Sequence, residues 1–470
     1  MSFSRRSFLV GAGSGLSLLV LTACTDGKPV PTPTSSPSPT LAVPRPAGML
    51  RSKWTADPFS LGSHSFLAVG ATPQHRDDLR EPVMGRLFFA GEATSNDLPG
   101  TVLGAQSSGA RAAGAVADAA TLGERIAVIG AGAAGAEAAR LLTLDGYNVV
   151  VIEARNRVGG RIDTRTSKSW PLPVELGAWR LGKATDAPLL TKLASLGVET
   201  NPFTGTLLAR TGASSTTEST VGPTAVRTAT DWAAAQATDS SLKTSLDKSG
   251  AAKTAASSTV DGFAGSALLD QYLASLATTN GASDSRLSSW FGVDEAVHYD
   301  RLVMGGFDAL ITDALDGVKT SLSTAVVGVA YSDSGVSLKL GTGESLKVDR
   351  AIVTVPLGVL QQGSIAFEPL LPFSHRAAIQ AIGVGAVETV WLRFDKPFWS
   401  TDAAAWNLVG TDDDFTSWIN LEAVTGEPVL VGIVGGDAAR RVAKLSDDQV
   451  VDSALRALVP FAGSKLPDSK

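Results

Sequence analysis

The sequence predicts an α/β protein of two domains, one built on a parallel sheet and the other an α+β unit with a mixed sheet. Three observations lead there. A strand, a glycine-rich turn, a helix and a second strand follow one another directly between Arg125 and Glu153, the unit that joins parallel strands through a crossover helix. A further strand and helix, Leu87 to Ala90 and Gly100 to Ala120, run into Arg125 through a short link and extend the same sheet. The chain has 470 residues, 44% of them apolar, which is enough for two cores.

The chain opens with Ser4-Arg5-Arg6-Ser7-Phe8-Leu9 and an apolar run from Val10 to Val20, too short and glycine-rich for a comfortable membrane span. It reads as a twin-arginine export signal. The run closes on Leu21-Thr22-Ala23-Cys24, which resembles a bacterial lipobox, so that cleavage would leave a lipidated Cys24 as a membrane anchor. The alternatives are a plain membrane anchor or a chance cysteine. Residues 1–24 are therefore expected to be a signal, and the protein to sit on the outer face of a bacterial cytoplasmic membrane. Residues 25–48 are rich in Pro, Ser and Thr, too poor in large apolar groups to form a core, and are expected to be an extended tether.

Composition excludes several functions. A net charge of -6 leaves no basic footprint for nucleic acid. Cys24 is the only cysteine, so the folded part has no disulfide and no thiolate metal site. The histidines, His64, His75, His298 and His375, show no ligand spacing, and no metal is expected.

The first chemical motif follows the β-branched run Arg125 to Ile129. It is Gly130-Ala131-Gly132-Ala133-Ala134-Gly135, with a helix from Ala136 to Leu144 and a strand from Asn148 to Ile152 that ends in Glu153. Gly130 permits the tight turn, Gly132 lets backbone approach a pyrophosphate, and Gly135 lets helix pack on strand. The helix N-terminus faces the phosphates, and Glu153 stands where a carboxylate can accept hydrogen bonds from a ribose. Taken alone, the glycines could be a turn before an Ala-rich helix; the strand, the spacing and Glu153 weigh against that.

After Glu153 come Ala154-Arg155-Asn156-Arg157-Val158-Gly159-Gly160-Arg161 and Val174-Glu175-Leu176-Gly177-Ala178-Trp179. The first stretch resembles the second FAD signature of glutathione-reductase-like flavoproteins, and the second is similar to a segment of the flavin amine oxidases. Upstream, Asp57 to Ser63, Gly85 to Thr94 and Gly100 to Arg111 resemble that family's C-terminal block. The order is therefore circularly permuted, with new termini expected in a surface loop around 464–470 and 45–49. Met304 to Leu310, Val326, Val353 to Leu360 and Phe394 to Trp399 continue the resemblance, which is weakest between Thr204 and Phe263.

The resemblance implies a FAD-binding Rossmann-like domain of glutathione-reductase type, over 54–201 and 297–361. A substrate domain would then take 202–296 and 362–470. It implies that Ala154, Arg155, Gly160 and Arg161 approach FAD, that Gly91 and Glu92 reach its ribityl or pyrophosphate region, and that backbone at Val326 meets the adenine. The N-terminus of the helix at Thr101 and Val102 would face the flavin N1 and C2 carbonyl, where its dipole favours negative charge.

The implied activity is oxidation of an amine by FAD and dioxygen, giving an imine and hydrogen peroxide. Such a reaction needs orientation and desolvation more than an acid–base triad. Three departures bear on the substrate. His375, in Leu371-Pro372-Phe373-Ser374-His375, stands for a lysine that bonds a water at flavin N5; it either holds that water or is a half-buried helix-start histidine. Ser63, His64 and Thr101 occupy positions where monoamine oxidases carry aromatic rings or a flavin-linked cysteine, so FAD is expected to be non-covalent, a histidyl link through His64 being the alternative. Arg180 stands where L-amino-acid oxidases clamp the substrate carboxylate; the alternative is a salt-bridged surface arginine. The substrate is thus an amine or an amino acid, and a catalytically inactive FAD-binding surface lipoprotein is the rival from another class.

Overall fold

The computed structural model describes residues 43–210, 213–215, 218–293 and 299–462. The export signal, Cys24, most of the tether and the segment 464–470 lie outside them. The described residues form one compact unit.

Its centre is a five-stranded sheet in the order Thr320–Ser321, Asn148–Ile152, Arg125–Ile129, Arg350–Val353 and Leu87–Phe89. Every neighbouring pair is parallel, with Ile129 opposite Ile152 and Phe88 opposite Ile352. The interiors of the four longer strands are apolar because both faces are covered. Phe88, Val128, Val151 and Ile352 meet the helices Val102–Ala119 and Ala133–Leu144 on one face. Phe89, Ile129, Ile152 and Val353 meet Val329 and Leu338 on the other. Those two residues belong to a four-stranded sheet ordered Ser345–Val348, Gly335–Leu340, Val326–Ser332 and Ala366–Glu368.

A second large sheet has seven strands, ordered Gly48–Arg51, Val387–Arg393, Val429–Gly435, Ser417–Asn420, Ala405–Leu408, Thr206–Arg210 and Ala213–Ser215. It is mixed, since Thr206–Arg210 runs parallel to Ala405–Leu408 while the other pairs are antiparallel. The strand Gly48–Arg51 begins at the last residue of the expected tether. Met49 shares a core with Leu458 and Phe461, and Arg45 pairs with Asp452 at 3.0 Å, so the first and last described segments lie together. The weakly patterned stretch 204–263 supplies a strand, Thr206–Arg210, and the helices Val221–Ala234, Leu242–Lys248 and Ala251–Ala256, packed beside the helix Gly265–Asn280. Among the described residues no helix is long and apolar enough to cross a membrane. Trp391, Trp406 and Trp418 are fully buried core residues.

Candidate active site

A cavity of about 430 Å³ runs from the C-terminal ends of the parallel strands to the seven-stranded sheet, within the size range of small-molecule sites. At one end its wall is the turn Gly130 to Ala134. A Cβ on Gly135 would sit 2.0 Å from the Gly130 carbonyl oxygen, so only glycine lets helix and strand come this close. The helix Ala133–Leu144 has no side-chain cap, so its first N–H groups are free for an anion. Gly160, at φ +59°, crosses against Gly132, where a Cβ would stand 3.2 Å from the Gly132 Cα. These two glycine segments form a cradle of backbone that fits a pyrophosphate.

Glu153 ends the second strand of the unit and is buried. Its carboxylate accepts the N–H groups of Ala131 and Arg155, both at 2.8 Å. Arg155 donates to Asp57 at 2.7 Å and Ser60 at 2.8 Å and lies over the Phe59 ring, tying the segment 57–60 to the cavity wall. Ala154 and Val326 line the same end.

The middle of the cavity is organised by a buried ion cluster. Glu92, next to Gly91 in the wall, receives Arg161 at 2.9 Å, the Ser65 hydroxyl at 2.6 Å and the Gly100 N–H at 3.0 Å. Arg76 reaches the same Ser65 hydroxyl at 2.7 Å. Burial alone would raise the Glu92 pKa, but Arg161 and then Arg76 outweigh it and bring the carboxyl to about 2. Thr101 also lines the cavity, but its hydroxyl accepts the Gly104 N–H at 2.9 Å as the helix cap. What this position offers the cavity is therefore the uncapped backbone at Val102.

The far end is lined by His64, Trp179, Arg180, Thr278, Thr279, Tyr299 and Thr389. Arg180 donates to the Thr278 carbonyl at 3.2 Å and stacks 4.6 Å from the centre of the Tyr299 ring. Among the described residues no carboxylate lies within ion-pair distance of it, and burial lowers its pKa. His64 shares a hydrogen bond of 2.9 Å with the Thr279 carbonyl, and burial, against the pull of Glu92, lowers its pKa. The hydroxyls of Ser63 and Thr389, both in this wall, have no partner among the described residues.

The structure parts from the sequence reading at His375, which is not in the cavity wall. The helix Phe373–Ala381 turns His375, Ala378 and Ile379 inward, into the core around Phe89. There its Nε2 donates to the Glu81 carbonyl at 2.9 Å and its ring packs 5.1 Å from that of Phe89. It is the buried helix-start histidine of the alternative reading. Thr278, Thr279, Tyr299 and Thr389 carry no local sequence signal, because a residue at a helix end, in a loop or in a strand does not announce which cavity it lines.

Residues 39–117 and 133–470 match the family model for flavin-containing amine oxidoreductases. The chain is 27% identical to polyamine oxidase 4 of Oryza sativa subsp. japonica, over 72% of this chain and 73% of that protein. It is likewise 27% identical to polyamine oxidase 2 of Arabidopsis thaliana, over 73% of each. Among solved structures, cyclohexylamine oxidase from Brevibacterium oxydans superposes with a TM-score of 0.58 at 20% identity, over 73% of this chain and 82% of that one. A putrescine oxidase variant gives 0.56 at 21%, over 74% and 83%. The backbone cradle, the uncapped helix and the buried Glu153 are the parts a flavin nucleotide requires. The chain belongs to the flavin-containing amine oxidoreductase family and is a flavin-dependent amine oxidase.

Proposed function

We propose that this chain is an exported, FAD-dependent oxidase that deaminates an amine carrying a carboxylate, an L-amino acid or a close analogue, with dioxygen as electron acceptor and hydrogen peroxide as product. The observation that carries the substrate class is Arg180, a guanidinium in the cavity wall whose described partners are one carbonyl and one ring. A cation so placed is short of an anion, and a carboxylate pairs with it through two parallel hydrogen bonds. FAD when bound takes a hydride equivalent from the carbon beside the neutral amine and passes the electrons to dioxygen. The chain's own residues bind and orient. Gly132, Ala133 and Gly160 would hold the pyrophosphate, Glu153 a ribose, and the helix start at Val102 the electron-rich side of the ring system. FAD is held without a covalent bond, as Cys24, the only cysteine, lies in the expected signal and leaves the folded part no residue for a thioether link.

A simple amine is the second reading, favoured by the likeness to polyamine oxidases. Against a polyamine, carboxylates of the cavity wall are already engaged by the protein, Glu92 by Arg161 and Asp186 by the Gly182 N–H. An anaerobic spectrum of the protein with L-amino acids, monoamines and polyamines separates the readings. Bleaching by an amino acid, with peroxide on re-oxygenation, is the expected result; bleaching by a polyamine alone overturns the substrate class.

The Rossmann-like arrangement and the permuted order belong to the same proposal. The adjacency of the first and last described segments and the family match in two blocks support it. A re-ordered chain, running from Arg125 to Ala462 and then through a linker from Ala47 to Thr121, is expected to fold and retain FAD. Export and lipidation at Cys24 rest on the sequence motif, and Cys24→Ala is expected to release the protein from membranes.

A further inference from the structure

We infer that His64 is the group that takes the proton from the substrate's ammonium and so delivers the neutral amine on which oxidation depends. This rests on the chain being an amine oxidase, and only its final geometric step rests on the carboxylate reading. The Thr279 carbonyl can only accept a hydrogen bond, so the His64 Nε2 carries the hydrogen, and in the neutral ring the lone pair is on Nδ1. The one hydrogen bond of the ring among the described residues is through Nε2, which leaves the Nδ1 lone pair open, and the ring borders the cavity.

The ring is held in that pose. A Cβ on Gly100 would lie 3.0 Å from its Cδ2, and one on Gly281 3.2 Å from its Cε1 and Nε2, so two glycines form a slot for the imidazole. The backbone on either side is fixed too, since Gly385 donates to the His64 carbonyl at 2.8 Å and the Ser63 N–H donates to the Gly385 carbonyl at 2.9 Å. The charged groups facing the ring are Glu92, which favours a proton on it, and Arg161 and Arg180, which oppose one. The helix end at Thr279 favours a proton as well, and burial opposes it most. On balance this set disfavours the charged ring and so favours a lone pair on Nδ1.

The partner of Nδ1 must be a donor, which an ammonium is and a carboxylate is not. Arg180 and His64 dock on the carbonyls of consecutive residues, Thr278 and Thr279, at the end of the helix Gly265–Asn280. Arg180 is also one of the charges that act on the His64 ring, so the two groups can serve the carboxylate and the ammonium of one α-amino acid. In the step itself, one N–H bond of the ammonium breaks, its electron pair stays on the substrate nitrogen, and an N–H bond forms at Nδ1. The imidazolium returns the proton to water after product leaves.

The test uses His64→Gln, whose amide can still donate to Thr279 but is no base. Anaerobic flavin reduction by L-phenylalanine and by benzylamine is followed from pH 6 to 10. In the parent protein the second-order rate is expected to be flat from about pH 7 upward. In the variant it should climb until the probe's own amine is deprotonated, making it about 100-fold slower at pH 7 and within about threefold at pH 10. A loss equal at all pH values, or an unmoved acidic limb, overturns the assignment. The ¹⁵N spectrum of the histidine rings gives a readout free of turnover. A neutral His64 ring with its hydrogen on Nε2 at pH 7 is required, and a hydrogen on Nδ1, or a protonated ring, overturns the proposal even if neither probe reduces the flavin. Failure of both probes to bleach a flavin that is bound would count against the carboxylate reading instead.

Discussion

The two ends of the cavity are built in opposite ways. The glycine end comes from one stretch of chain, Gly130 to Arg161, and its shape lies in the backbone. The far end is assembled from residues 64, 179, 180, 278, 279, 299 and 389, drawn from five separate stretches of the chain. A backbone cradle recognises a nucleotide that does not vary, so it can be written in consecutive residues. A substrate is recognised by charge and hydrogen bonding at particular points, and those are brought together only by folding.

If this contrast is right, damage at the glycine end should cost stability and flavin together, while damage at the far end should leave both intact and change the substrate. The largest effect is expected from Gly135→Val, whose side chain has no room beside the Gly130 carbonyl. Overpacking of this kind costs about 3 kcal/mol or more, and the purified variant should carry no flavin. A yellow, stable Gly135→Val protein would break the comparison at its strongest point.

Glu92→Gln tests the cluster between the two ends. It leaves Arg161 and Arg76 without their carboxylate, and breaking a buried pair from one side costs about 3–5 kcal/mol. The sign of the pH dependence follows from the Glu92 pKa, which folding lowers from 4.5 to about 2. The stabilisation is fully present above pH 4.5 and is lost as pH falls toward 2. Denaturant unfolding of parent and variant should therefore differ most at pH 5 and above, and the gap should narrow as pH falls from about 4.5.

At the far end, Arg180→Leu is expected to raise KM for a carboxylated amine about 100-fold, or about 2.7 kcal/mol, with flavin content unchanged. An amine without a carboxylate should lose nothing, and if both substrates lose equally Arg180 serves the fold and not the substrate. The smallest effect is expected from His375→Gln. With its ring packed on Phe89 and outside the cavity wall, turnover should change less than about threefold, and because the glutamine amide can still donate to the Glu81 carbonyl the cost in stability should stay below about 1 kcal/mol. A larger loss of turnover would bring His375 back into consideration.

The parallel sheet was legible because its signals are local. The strands Arg125–Ile129 and Asn148–Ile152 stand where their β-branched runs placed them, and the helix between them begins at Ala133, three residues before the expected Ala136. The stretch 204–263 was not legible. Its strand Thr206–Arg210 exists because it pairs with Ala405–Leu408, a partner far along the chain that no local pattern announces. His375 was misread for a related reason. Its place in a helix could be read from Pro372 onward, but which face of the sheet that helix covers is set by its packing against the helix Pro73–Arg80.

By itself the sequence determined a glycine-rich unit that binds a dinucleotide, a parallel sheet apolar on both faces, and the likeness to flavin amine oxidases. Each of these depends on backbone conformation or on periodicity along a few consecutive residues. Only the tertiary structure decided that Arg180 and His64 share one helix end, that Glu92 gathers Arg161 and Arg76, and that His375 lies outside the cavity wall. Those are relations between side chains distant in sequence. They are fixed by burial and by the pairing each buried polar group must find, which exist only once the chain has folded.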